Sequence, residues 1–301
     1  MNSKNIKKSL NAKFNKWLES IDNKDVKKII QENAIITGGA LVSLLTNQEV
    51  NDYDVYFKTR ESILKVAQYY VDKFNSTHNN NIKAEVKEEV DDNFELVPNG
   101  KVSIFISSKG VLADKDAKTI TDETEPTETE ESEQEEKETI EKPKYRPLYL
   151  TSNAITLSDK IQIVIRFWGG VDEIHKNYDF AHCTCAWSSW DNNLALPTEA
   201  LECIINKELR YMGSKYPLCS IIRSRKFINR GYTINAGQYL KMCLQLNELN
   251  LKDVKVLKDQ LTGVDSAYFD ILIRSIEAKK KGEPEWQYDN NYLFEVINRI
   301  F

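Results

Sequence analysis

The chain has 301 residues and a mass of 34.8 kDa, with 41% hydrophobic and 29% charged residues. This is enough for one large domain or two modest ones with a packed core. The five cysteines, the lack of an N-terminal apolar leader and the lack of an apolar run of about 18 residues argue against secretion, a disulfide framework and a membrane span. We therefore expect a cytoplasmic protein with no membrane partner.

The net charge of -5 is unevenly distributed along the chain. Residues 114–144 carry a net charge of -8, so the rest of the chain carries +3 and is mildly basic, which suits a protein that handles nucleotides. Residues 119–144 contain no aromatic side chain and bury too little apolar surface to offset their ordering entropy. We predict a disordered acidic insertion at about 114–144, as a solvated loop between strands or, alternatively, as a mimic of nucleic acid.

Helix and strand patterns alternate in the first part of the chain. Apolar residues at helical spacing predict helices at residues 6–18, 26–31, 40–45 and 62–74. Short apolar or alternating runs predict strands at residues 34–37, 52–57, 101–108, 148–157, 161–167 and 178–187. Such alternation is typical of a sheet flanked by helices.

From Pro197 onward the pattern is helical, and glycines punctuate the helices. The predicted fold class is therefore α+β, with a mixed sheet and flanking helices followed by an all-helical domain. We place N-terminal helices in residues 1–32, the α/β domain in residues 33–190 and the helical domain in residues 191–301.

The most informative segment runs from Thr37 to Val55. Gly38 and Gly39 fall between a predicted strand and a predicted helix, where backbone without side chains can approach a triphosphate closely. Asp52 and Asp54 are two positions apart on the next predicted strand, so both carboxylates project from one face. Paired carboxylates of this kind either lie in solvent or hold divalent cations, and Mg²⁺ favours carboxylate oxygens together with substrate phosphates.

In this order, Thr37-Gly38-Gly39 followed after twelve residues by Asp52-Tyr53-Asp54-Val55 resembles the signature of the nucleotidyltransferase superfamily, which includes DNA polymerase beta, poly(A) polymerase and CCA-adding enzymes. Thr37 and Tyr53 depart from the hydrophobic residues usual at those positions. The resemblance extends over about residues 30–187 and implies a nucleotidyltransferase-like fold for the α/β domain.

The resemblance also implies a third carboxylate on a later strand, and we assign this role to Asp179, with Asp172 and Glu173 as competitors. It implies that Asp52, Asp54 and Asp179 are catalytic and bind Mg²⁺ or Mn²⁺. Gly38, Gly39 and Ser43 are then expected at the nucleotide phosphates. A turn or cap residue is the ordinary alternative for Asp179.

The densest basic segment lies in the helical half. Arg223, Lys226 and Arg230 have the spacing of one helix stripe. In the superfamily that the motif resembles, a helical domain closes over the nucleotide, so the resemblance implies that these residues bind the nucleotide triphosphate or an RNA backbone. A solvated helix face is the alternative. His182, Cys183 and Cys185 lack zinc-ligand spacing, and we interpret the cysteines as buried thiols. A Cys183 nucleophile is not expected, because a strand would send His182 and Cys183 to opposite faces.

These features predict metal-dependent transfer of a nucleoside monophosphate from an NTP to a hydroxyl acceptor. The acceptor is left open between an RNA or tRNA 3′ end, a protein and a small molecule. The alternative is an inactive binding or assembly protein with the same fold, such as a viral accessory or virion component.

Overall fold

The computed structural model describes residues 2–77, 83–90, 96–97, 100–106, 111–113, 143–261, 267–283 and 290–300. Apart from residues 143 and 144, the predicted acidic insertion lies outside the described residues. The described residues form two compact units. The first contains those of Met1–Lys118 and Gln134–Asn177 together with His182–Ile204, and the second contains Tyr178–Ala181 and those of Ile205–Phe301.

The first unit includes the predicted N-terminal helices and extends to Ile204, whereas the sequence placed the domain boundary at residue 191. Its helices are α1 Ser3–Glu19, α2 Lys24–Asn33, α3 Gly39–Leu45, α4 Arg60–Thr77, α5 Val171–His175 and α6 Thr198–Asn206, whose last residues pass into the second unit. Its strands are β1 Ala34–Thr37, β2 Tyr53–Phe57, β3 Ala84–Glu88, β4 Val102–Ile106, β5 Val111–Ala113, β6 Pro147–Thr151, β7 Ala154–Leu157, β8 Ile161–Trp168, β9 Ala186–Ser188 and β10 Leu194–Ala195.

The main sheet of the described residues has the strand order β10-β9-β1-β2-β8-β7-β6-β5, and β3 pairs with β4 in a separate hairpin. The sheet is mixed, because β1 and β2 are antiparallel whereas β2 and β8 are parallel. A long crossover is required between parallel strands, and it contains α4 and the β3–β4 hairpin. The predicted mixed sheet with flanking helices is confirmed.

One face of this sheet is buried under helices. Every second residue of the central strands, including Ile36, Val55 and Ile163, is buried in the same apolar core as residues of α1, α2 and α4. Within that core, the Trp17 indole N–H donates a 2.7 Å hydrogen bond to the Tyr70 hydroxyl. Because side chains alternate across a strand, the intervening residues lie on the opposite face. There Asp54 and Gln162 are half-buried.

The second unit is helical, apart from isolated bridges. It contains α7 Pro217–Asn229, α8 Ala236–Leu246, α9 Val254–Gln260, α10 Ala267–Gly282 and α11 Asn290–Ile300. One of its cores is formed by Phe180, Leu209, Tyr211, Tyr232 and Met242. Among the described residues, no helix combines the length and the apolar character needed to cross a membrane.

Two predicted strands differ from the structure. Residues 148–157 form the hairpin of β6 and β7, and residues 178–187 are a strand only at β9. The Ala181 N–H donates to the Arg210 carbonyl and the Met212 N–H to the Asp179 carbonyl, each at 3.0 Å. These bonds place the backbone of residues 178–181 in the helical unit, where it cannot continue the sheet.

Candidate functional site

The turn between β1 and α3 requires glycine. Gly38 has φ 79° and ψ -142°, a backbone conformation that side chains disfavour. At Gly39 the chain itself does not require glycine, since a Cβ atom added there would meet open space, with no atom beyond its chain neighbours and its own helix within 4 Å. No part of the described chain fills that space, so a ligand could approach the backbone there. Since α3 has only seven residues, its dipole contributes little to such a site.

The register of the sheet places Asp54 beside this turn. Asp54 is the direct partner of Thr37 in the antiparallel β1–β2 ladder, so the two side chains project from the same face. The neighbouring residue, Tyr53, points to the helix-covered face, where the Lys13 Nζ of α1 lies 5.4 Å from its ring centre. Asp52 is exposed and lies one residue before β2 begins, with no ion pair among the described residues. The structure thus brings Gly38, Gly39 and Asp54 together at adjoining ends of two strands.

A buried hydrogen-bond chain supports the turn. The Thr37 hydroxyl is fully buried and donates to the Cys185 carbonyl at 2.8 Å. Because that hydroxyl has a single hydrogen, the 2.8 Å contact with His175 Nε2 makes the imidazole N–H the donor. Burial lowers the pKa of His175 to about 4, with Asp172 opposing the shift, so the ring is neutral at pH 7.

His175 is not among the residues predicted for this site. In the sequence, the only indication of a polar partner is Thr37 itself, because the motif usually has a hydrophobic residue at that position. The structure identifies that partner as His175, on the short helix α5.

We predict a specific pH dependence of stability from His175. Its pKa in the folded protein is about 4 and its ordinary value is 6.5, so only the unfolded chain binds the proton between these values. Stability should therefore fall as the pH falls from 6.5 to 4, by on the order of 2 kcal/mol for a ring that is partly in solvent. Urea denaturation of wild type and His175→Gln, which keeps an N–H donor but does not titrate, isolates the effect. Equal pH slopes for the two proteins would contradict the assignment.

Asp179 lies in a different environment from the one predicted. It is 7% exposed, accepts a 2.7 Å hydrogen bond from the Ser214 hydroxyl and pairs with Arg223 Nη1 at 2.6 Å. Asp179, predicted as a metal ligand, and Arg223, predicted at the nucleotide, are thus bound to each other. Within the part of the chain that the structure describes, no group of three or more His, Cys, Asp or Glu side chains could hold a metal ion. The proposed metal role of Asp179 therefore has no such group to support it.

The remaining predicted residues are placed as follows. Ser43 is half-buried in the second turn of α3. Lys226 is exposed in the last turn of α7, while Arg230 is the exposed cap residue after that helix, so the three basic residues are not all on one helix. A nucleotide-binding role for these residues stays a prediction.

The strand predicted through His182 and Cys183 is wrong. Residues Ala181–Cys183 form a 3₁₀ turn rather than a strand, so the Cys183 Sγ and the His182 Nε2 are 3.3 Å apart and do not lie on opposite faces. Burial raises the pKa of Cys185 to about 12, so its thiol stays protonated at neutral pH.

Solved structures similar to this chain include CCA-adding enzymes, members of the superfamily that the motif resembles. The enzyme of Bacillus stearothermophilus in complex with CTP is 12% identical, with 80% of this chain and 47% of that chain covered and a TM-score of 0.36. The enzyme of Thermotoga maritima complexed with tRNA is 11% identical, with 95% and 68% covered and a TM-score of 0.39.

Two comparisons of sequence point to one family. A protein of Bacillus phage SPbetaL7 named "Gabija anti-defense 2" is 20% identical over 249 residues, which are 82% of this chain and 46% of that protein. The chain therefore spans about half the length of this relative. The family model described as Gabija anti-defense 2 family protein matches residues 8–207. The chain belongs to the Gabija anti-defense 2 family.

Proposed function

We propose that this protein is a metal-dependent nucleotidyltransferase that moves a nucleoside monophosphate from an NTP to a hydroxyl acceptor. The observation that carries the proposal is the pairing of Thr37 with Asp54, which sets the Gly38-Gly39 turn beside a half-buried carboxylate. The open space at Gly39 supports the close approach of phosphates to the backbone. A glycine turn alone or an acidic strand residue alone would not indicate a nucleotide site. Here the strand register places the two side by side, and this combination does.

The carboxylates fit a hard divalent cation. Asp52 and Asp54 offer only oxygen ligands, and Mg²⁺ is commonly held by one or two carboxylates together with substrate phosphates. A pair of carboxylates therefore suffices for a metal ion that arrives with the nucleotide. When bound, Mg²⁺ neutralises phosphate charge and makes a hydroxyl group more acidic.

The residues of the chain act by positioning. Gly38 and Gly39 leave room for the triphosphate, and His175 fixes Thr37 and thereby the start of the turn. The acceptor oxygen attacks the α-phosphorus, a P–O bond forms, and the bond to the leaving pyrophosphate breaks. The acceptor proton passes to a carboxylate of the Asp52 and Asp54 pair and then to solvent. Positioning and charge neutralisation account for most of the catalysis in such transfers.

Membership of the Gabija anti-defense 2 family suggests the biological process in which this reaction takes part. The phage relative is named for an activity against the Gabija defence. We place this chain in the same setting, with nucleotide transfer as the means by which it counters that defence. The acceptor would then be a molecule on which the defence depends.

Binding measurements test the donor site. Because two carboxylates hold Mg²⁺ weakly without phosphates, we expect Mg²⁺ alone to bind with a Kd of about 1 mM or weaker, and an NTP to bind at least tenfold more tightly with Mg²⁺ than without. Calorimetric titration with ATP, CTP, GTP and UTP, each with and without Mg²⁺, provides both values. No binding of any NTP in Mg²⁺ would favour the rival function, an inactive binding or assembly protein.

A further inference from the structure

Asp52 lies in a short exposed stretch of chain that leads into β2. Val50, on one side of it, is buried in the apolar core, whereas Asn51 and Asp52 are exposed. On the other side, Tyr53 begins β2 and is paired with Ile161 of β8. The position of the Asp52 carboxylate therefore depends on what holds the backbone of this stretch.

Lys160 contacts the chain on both sides of Asp52. Its backbone carbonyl accepts a 2.8 Å hydrogen bond from the Tyr53 N–H. Its Nζ donates to the Val50 carbonyl at 3.0 Å and to the Glu49 carboxylate at 2.5 Å. Only two residues, the second of them Asp52, lie between the two backbone groups that Lys160 holds. A single residue thus fixes both ends of the stretch.

The backbone conformation of Lys160 is unusual for a lysine. Ser158, Asp159 and Lys160 connect β7 to β8, and Asp159 and Lys160 have φ angles of 61° and 62°. Glycine adopts such left-handed backbone freely and aspartate tolerates it, whereas a lysine is strained there. Strain of this kind persists where the surrounding structure imposes it, and it is frequent at functional sites. The contacts of Lys160 on both sides of Asp52 provide a function for a lysine at this position.

The turn that carries Lys160 is itself attached to α1. Lys13 Nζ donates to the Asp159 carbonyl. It also lies 5.4 Å from the centre of the Tyr53 ring and 5.1 Å from that of the Tyr145 ring, within the range of cation–π contacts. The Tyr145 N–H donates to the Asp159 carboxylate at 3.3 Å. Lys160 therefore reaches the segment before β2 from a turn that is held in place.

The two side-chain contacts of Lys160 contribute differently. The Glu49 side chain is 83% exposed, and ion pairs of exposed groups stabilise a protein little. The Val50 carbonyl is a backbone group of a core residue, and its hydrogen bond from an ammonium is charge-assisted. The contact with Val50 is therefore the one that fixes the chain before Asp52.

We infer that Lys160 is a positioning residue of the donor site, which holds Asp52 beside Asp54 so that one divalent cation can contact both carboxylates. The inference rests on the proposed function, since it assumes that the two carboxylates hold Mg²⁺ together with the nucleotide. Lys160 acts through the backbone on either side of Asp52. Residues that orient metal ligands in this way typically change metal affinity by about ten- to a hundredfold when they are replaced.

Two substitutions of Lys160 test the role of its ammonium group. Lys160→Met keeps an unbranched side chain without the charge, while Lys160→Arg keeps a cation that can donate to the Val50 carbonyl. Among ATP, CTP, GTP and UTP, we use the NTP that wild type binds most tightly. We expect Lys160→Met to raise its Kd in Mg²⁺ by about tenfold and its Kd without Mg²⁺ by less than about twofold. Lys160→Arg should recover most of the loss. Calorimetric titration measures both Kd values.

Lys160→Gly separates positioning from stability. It removes the same ammonium group but relieves the left-handed backbone strain, so its urea midpoint should equal or exceed that of wild type. Its Kd for the NTP in Mg²⁺ should nevertheless rise as in Lys160→Met. In the metal-free protein, amide hydrogen exchange of residues 50–53 should be at least about tenfold faster in Lys160→Met than in wild type. A lysine with a structural role alone would lower the midpoint and leave the Mg²⁺-dependent part of NTP binding unchanged.

Two control variants are matched to Lys160→Met. Glu49→Gln removes the exposed ion pair but leaves the contact between Lys160 and the Val50 carbonyl. Lys65→Met removes a lysine from a comparable exposed ion pair, with Glu61 on α4. Both variants should bind NTP as wild type does. A loss in Glu49→Gln as large as that in Lys160→Met would show that the ion pair acts instead, and would overturn the inference.

The outcomes separate this inference from the proposed function. Wild-type Kd values in Mg²⁺ for both Lys160→Met and Lys160→Gly would overturn the role of Lys160. That result would leave the donor site standing, because wild type would still bind NTP in Mg²⁺. Absence of NTP binding by wild type would instead overturn the proposed function, and the role of Lys160 with it.

Discussion

Replacing Asp54 with Asn is expected to reduce nucleotide transfer by at least about a thousandfold, which corresponds to about 4 kcal/mol of lost transition-state stabilisation. The amide keeps the size of the side chain but removes the charge that would hold the metal ion beside the glycine turn. Stability should change little, because Asp54 is half-buried near the end of its strand and the amide keeps the size and polarity of the carboxylate. The measurement is transfer of label from an α-labelled NTP, together with urea denaturation.

Asp72→Asn is the matched control for this prediction. Asp72 is an exposed carboxylate on α4, and its neutralisation should leave transfer unchanged. In bacteria that carry a Gabija defence, wild type and Asp72→Asn should restore phage growth to the same extent, while Asp54→Asn should not. Full restoration by an Asp54→Asn protein that transfers no nucleotide would show that the chain acts by binding alone.

Replacing Arg223 with Met is expected to destabilise the helical unit by about 2 kcal/mol. The change leaves the Asp179 carboxylate, which is 7% exposed, with the Ser214 hydroxyl but without its cation, and an uncompensated buried charge is costly. The estimate is below that for a fully buried pair, because the Arg223 side chain is 35% exposed. Urea denaturation at pH 7 measures the effect.

Two further variants decide what Asp179 does. Arg225→Met removes an exposed arginine from the same helix and should have almost no effect on stability. Combining Asp179→Asn with Arg223→Met should recover part of the lost stability, because no charge is then left unpaired. If Asp179→Asn instead abolished Mg²⁺-dependent NTP binding without loss of stability, Asp179 would be the third metal ligand that the motif predicts.

The local elements of the α/β unit could be predicted because their patterns are strong. The alternation of apolar residues in β8 and the helical spacing in α1 each indicate a single buried face. The Gly38-Gly39 turn could also be located, since the positive φ of Gly38 is a local requirement of the chain.

The pairing of distant residues could not be predicted from one sequence. The segment 178–181 has the apolar and aromatic residues of a strand, but its backbone hydrogen bonds go to Arg210 and Met212, about thirty residues later. For the same reason Asp179 and Arg223 were assigned to different ligands, although they form one ion pair. The alignment of Gln162, Thr156 and Tyr149 on neighbouring strands also could not be predicted from the sequence, because it depends on the register of the strand pairs.

The proposed donor site is tested most directly by a crystal structure of the protein grown with Mn²⁺ and a non-hydrolysable NTP analogue. We expect an anomalous scattering peak within about 2.5 Å of an Asp54 carboxylate oxygen and triphosphate density against the backbone of Gly38 and Gly39. Density for the triphosphate away from the glycine turn, or a metal ion bound with no contact to Asp54, would contradict it.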